Sequence, residues 1–90
     1  MQEDQIIQDT QGWIANAATT LDVRPTLAEG GEPFVEIMEA AAAIQPGQSL
    51  VIIAPFEPAP LYGALAARGF SHESQRIADD HWVVRFAQAS

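Results

Sequence analysis

The stretch from Ala54 to Phe70, Ala-Pro-Phe-Glu-Pro-Ala-Pro-Leu-Tyr-Gly-Ala-Leu-Ala-Ala-Arg-Gly-Phe, constrains the fold more than any other part of the chain. It carries a strand exit, a loop punctuated by Pro55 and Pro58, a helix and a helix stop. Pro60 suits the first turn of a helix, where its missing N–H is no loss and its φ is already helical. Leu61 and Leu65 then lie four apart on one face with Ala64 beside them. Gly69 followed by Phe70 fits a left-handed cap with an apolar residue folding back, so the helix ends near Arg68. These residues specify a fold rather than an activity.

The segments before this stretch supply two strands and a second helix. Thr19 to Val23 alternates and is rich in β-formers, and Arg24-Pro25 ends it because Pro has no N–H for a ladder. Thr26 to Gly31 reads as a loop. Glu32-Pro33 opens a helix in which Phe34, Ile37, Met38, Ala41 and Ile44 recur at helical spacing, the clearest periodic signal in the chain. Its acids Glu32, Glu36 and Glu39 lie off that stripe and read as a solvated face. Pro46-Gly47 marks a turn, and Leu50-Val51-Ile52-Ile53 is the continuous apolar run of a central strand. After the Leu65 helix, Phe70 to Ile77 and Trp82 to Ala87 flank the polar link Ala78-Asp79-Asp80-His81, a hairpin in which Ile77 is expected opposite Trp82.

At the other end, Ile6, Ile7, Trp13, Ile14, Ala17 and Ala18 fall within an arc of roughly 140° at helical pitch. Residues 1–18 therefore read as an amphipathic arm ahead of a domain over residues 19–90. Gly12 and Asn16 lower its helix propensity, which leaves a loosely ordered arm anchored by Trp13 and Ile14 as the alternative. The expected architecture is α+β, a two-layer sandwich of βαβαββ order with a mixed four-stranded sheet and two helices on one face.

Composition narrows the function classes. The 90 residues hold 12 acids against 4 arginines, no Lys and no Cys, for a net charge of -8. Without Cys there is no disulfide, thiolate metal site or cysteine nucleophile. The negative field disfavours nucleic acid and anionic membranes as partners. No run approaches a membrane span or a leader core, so a cytoplasmic protein is expected.

Leu21-Asp22-Val23-Arg24-Pro25, Gly31-Glu32-Pro33-Phe34, Pro46-Gly47-Gln48-Ser49-Leu50, the segment from Ala54 to Tyr62, Arg68-Gly69-Phe70 and Trp82-Val83-Val84-Arg85-Phe86 together resemble the family called domain of unknown function 2249, over Thr20 to Phe86. That family is similar in turn to the TusA/SirA-like sulfur carriers, and the resemblance implies their sandwich fold. The carriers place a Cys-Pro pair at the start of the first helix; the corresponding pair here is Glu32-Pro33, so the persulfide chemistry does not carry over. Relatives joined to hemerythrin-like domains imply a setting in redox or nitrogen-oxide metabolism, and the likeness to the sulfur carriers implies one in sulfur metabolism.

Topology brings Arg24 and the helix starts at Pro33 and Pro60 to one sheet edge. Arg24, Glu32, Phe34, Phe56, Glu57 and Tyr62 are the candidate ligand or partner site. Helix-start N–H groups and a guanidinium suit a small anion, while pairing of Arg24 with Glu57 or Glu32 would make the cluster a structural clasp, which is the expected arrangement. His72 and His81 fall about 20 Å apart along the hairpin and cannot share a metal. No catalytic, metal or cofactor constellation is expected. The sequence points to a non-catalytic protein-interaction or carrier-like module, with a small-anion effector domain as the alternative. A second protein is the expected partner, with a homodimer through the open sheet face or the arm also open.

Overall fold

The computed structural model describes residues 2–89, with side-chain surroundings from Asp9 onward. Four strands form one mixed sheet: β1 (Thr19–Asp22), β2 (Ser49–Ala54), β3 (Phe70–Ala78) and β4 (His81–Gln88), in the order β1-β2-β4-β3. β1 and β2 are parallel, and β4 runs antiparallel to both β2 and β3. The helices are α1 (Gln2–Asn16), α2 (Arg24–Ala28), α3 (Phe34–Ala42) and α4 (Ala59–Ala66).

Period-two alternation divides the strands between two faces. Leu50, Ile52, Val84 and Phe86 face α3 and α4 and pack with Ile37, Ala41, Leu61 and Leu65 in a single core. Complete burial of each of these large side chains contributes about 1.5–3 kcal/mol. With α3 and α4 together on one face of the sheet, this is the α+β sandwich that the pattern predicts. Val51 and Val83 lie outside that core yet are 0% and 2% exposed, because they point to the opposite face. There α1 packs against β2 and β3 and buries Thr10, and Trp13 shares a depression with Arg85. The segment read as an arm is helical from Gln2 to Asn16. Ile6 and Ile7, part of its expected apolar arc, have side chains outside the described residues.

Two details differ from the sequence reading. The stretch taken as a loop after Pro25 contains the five-residue helix α2. Pro25 stops β1 and, with its fixed φ, also starts this turn. The hairpin register is displaced by one residue: Arg76, not Ile77, opposes Trp82, and Ala78 opposes His81. A two-residue Asp79-Asp80 link sets that closure, and the irregularity between Arg76 and Ala78 absorbs the extra residue as a bulge.

Candidate functional site

The parallel strands β1 and β2 end side by side, and the chain leaving each one passes into a helix. Between those exits lies an apolar cleft of about 250 Å³. Ile52 and Ala54 of β2 form its floor, Ile37 of α3 and Leu61 of α4 its walls, and Val23 and Leu27 close the β1 side. Clefts at the carboxyl ends of parallel strands are the usual binding places of open α/β sheets, because loops rather than ladder partners surround them.

Prolines hold this opening in shape. Pro33 precedes α3 and Pro58 precedes α4, both lining the cleft and both buried, and Pro60 sits in the first turn of α4. Gly31 approaches α2 so closely that an added Cβ would meet the Thr26 side chain at 2.9 Å and its carbonyl oxygen at 3.1 Å. That contact sets the Gly30-Gly31 turn against α2 just ahead of Glu32, which is exposed at the rim, and Pro33, which is buried. Glu32 has a local task there: its Oε1 accepts the Phe34 N–H at 2.6 Å, satisfying one of the orphan donors of the first turn of α3. Phe34 and Phe56 stand at the mouth, 44% and 51% exposed.

The six candidate residues divide into separate groups. Glu32, Phe34 and Phe56 line the cleft. Arg24 instead faces an adjoining, more open groove with Asp80 and His81, and Phe56 and Leu27 stand between the two, lining both. The partner of Arg24 is Asp22, not Glu57 or Glu32: Nε and Nη2 donate to the two carboxylate oxygens at 2.9 and 2.8 Å, and its backbone N–H adds a third bond at 3.1 Å. The short range favours Asp22, since both residues sit where the chain turns from β1 into α2. The Arg24 side-chain hydrogen bonds hold the Asp22 carboxyl below its usual range, partly offset by burial, and the same contact raises the Arg24 guanidinium.

Tyr62 and Glu57 form the third group. The Tyr62 hydroxyl donates to Glu57 Oε2 at 3.1 Å, tying the loop to α4. Its ring stacks on His72 of β3 with centroids 3.8 Å apart and planes 6° from parallel, and both rings meet Phe86 at a tilt. Burial pushes the Tyr62 phenol above its ordinary range; the Glu57 carboxylate adds to this and a hydrogen bond with Ser74 opposes it. Sequence reasoning missed Leu27 because its segment read as loop, and it weighed His72 only as a metal ligand, not as the stacking partner of Tyr62. Asp22 was visible only as a neighbour two residues from Arg24.

The profile of a family described as an uncharacterized conserved protein, DUF2249, matches residues 20–88. The chain belongs to the DUF2249 family. The match takes in the whole sheet except Thr19, together with α2, α3 and α4, and so contains every residue lining the cleft. Helix α1 precedes the DUF2249 region. Comparison with curated proteins and with solved structures returned no match. Among the described residues no helix is long and apolar enough to cross a membrane.

Proposed function

We propose that this DUF2249 domain is a non-catalytic binding module that holds an apolar anchor side chain of a partner protein in the cleft between α3 and α4. The supporting observation is the cleft itself, apolar throughout except at Glu32, with Phe34 and Phe56 exposed at its mouth. Its size bears on the choice of ligand. Small-molecule sites usually enclose about 300–1,000 Å³ and present several convergent polar groups. A cleft of about 250 Å³ with one polar lining side chain suits a single anchoring residue better than a whole ligand. Aromatic side chains, Phe among them, are also enriched at protein interfaces relative to the rest of the surface.

The non-catalytic reading rests on the same lining. Glu32 is its one titratable side chain, and it already caps α3, so the cleft offers no paired acid and base. The anion-effector alternative has less support, because Asp22 already holds the Nε–Nη2 edge of Arg24 in a bidentate contact and balances its charge. The TusA-like relationship, with which the sandwich is compatible, and a place in redox, sulfur or nitrogen-oxide metabolism remain part of this proposal.

Selection of peptides from a random-sequence display library, followed by chemical-shift mapping, tests the reading. Selected peptides are expected to shift the amides of Phe34, Ile37, Ala54 and Phe56 saturably. Phe34→Ala and Phe56→Ala should weaken binding while changing stability by about 0.5 kcal/mol or less, as expected for exposed positions. Selected peptides that map elsewhere would refute the proposal.

A further inference from the structure

We infer that the segment docking in this cleft is basic, an apolar anchor residue flanked by Lys or Arg. This rests on the cleft being a docking site and adds the charge class of its occupant.

The inference follows from what surrounds the opening. No basic residue lines the cleft, and Glu32 lies on its rim. The segments that build it add further acids: Glu29 directly after α2, Glu36 in the first turn of α3, and Glu57 between the lining residues Phe56 and Pro58. All are exposed.

The arginines do not offset them. Arg24, Arg76 and Arg85 are engaged with Asp22, Asp79 and Glu73. Arg68 follows the far end of α4 from Pro58. With a net charge of -8 over the chain, a second copy or an acidic segment meets like charge at this mouth, whereas a basic one is drawn in. Phe34 and Phe56 reinforce the preference, since exposed ring faces attract ammonium and guanidinium groups.

Short capped peptides with a central Leu or Phe, flanked by Lys, Gln or Glu, provide the test, read by chemical-shift titration of the full chain at low and high salt. A Lys-flanked peptide whose anchor is replaced by Ala is the control for bulk attraction to an acidic protein. The Lys-flanked, anchored peptide should shift Phe34, Ile37 and Phe56 saturably and bind most tightly, with affinity falling as salt rises. Glu32→Gln keeps an oxygen for the Phe34 N–H and should weaken that binding about two- to fivefold, the usual worth of one exposed charge. Equal affinity for Lys- and Gln-flanked peptides would overturn the charge inference and leave the cleft reading standing. Lys-flanked peptides that shift scattered amides with or without the anchor, or no binding by any peptide, would overturn both.

Discussion

Asp22 and Arg24 show how little a well-made pair at a surface contributes. The contact is bidentate, yet both side chains are about 40% exposed, so solvent screens it and the expected contribution is about 0–1 kcal/mol. Arg24→Ala should therefore lower stability within that range in denaturant titration. Because Asp22 is depressed in the folded state, its contribution is present above the unfolded carboxylate pKa and is lost as pH falls through the folded value. The acid limb of the stability profile should flatten slightly in Asp22→Asn. Tyr62 behaves in the opposite sense. Its folded pKa is raised, so its contribution is complete below about 10, the ordinary tyrosine value, and is lost as pH rises through the folded one. Tyr62 is the single tyrosine in the chain, so tyrosinate absorbance reports it alone. We expect a midpoint above that of the unfolded chain in denaturant, and a coincident midpoint would refute the burial described for the ring. At this scale the sequence was least informative: it marked Arg24, Glu57 and Tyr62 as notable without revealing that Arg24 turns to Asp22 while Tyr62 turns to Glu57. Pairings of this kind depend on rotamers and local turns, which leave no periodic trace.

The elements were more legible. The stripe Phe34, Ile37, Met38, Ala41 and Ile44 predicts α3, although the helix ends at Ala42, with Ile44 buried just beyond it and Phe34 exposed at its start; the apolar run Leu50-Val51-Ile52-Ile53 predicts a central strand, and Gly69 marks the exit from α4 with φ +91. Gly69→Ala should destabilise by about 1–2 kcal/mol, because an L side chain disfavours that region. The Gln88 side chain, whose Oε1 lies 2.8 Å from an added Cβ, can swing aside and is not the main cost. Helix α2 was hidden because five residues are too short to display a helical period, and Pro25 served equally well as a strand stop. The α1 segment carried a legible period but an ambiguous propensity; in the folded chain it packs against β2 and β3, over a face that holds Val51 and Val83. Packing of this kind outweighs weak intrinsic helicity. Removal of residues 1–18 is expected to lower the melting temperature or to cause association through the bared face. A truncated chain that stays monomeric and equally stable, by calorimetry and light scattering, would contradict that role.

At the scale of the molecule, a net charge of -8 on 90 residues means that most carboxylates repel one another without a compensating cation. Screening relieves that repulsion and weakens only a few exposed ion pairs, so moderate salt should raise the melting temperature. A fall with salt would mean that the Asp22–Arg24, Asp79–Arg76 and Glu73–Arg85 pairs matter more than their exposure allows. The sheet order has a further consequence for how the protein is made. β4, the last strand along the sequence, lies inside the sheet between β2 and β3, and its backbone joins both. During synthesis β1 and β2 emerge able to pair, but β3 has no neighbour until the residues after it leave the ribosome. The core face formed by Val84 and Phe86 is missing for the same interval. Vectorial synthesis therefore delivers the keystone after its neighbours, and the nascent chain must carry the apolar run of β2 with one flank unpaired until the residues up to Gln88 have left the ribosome.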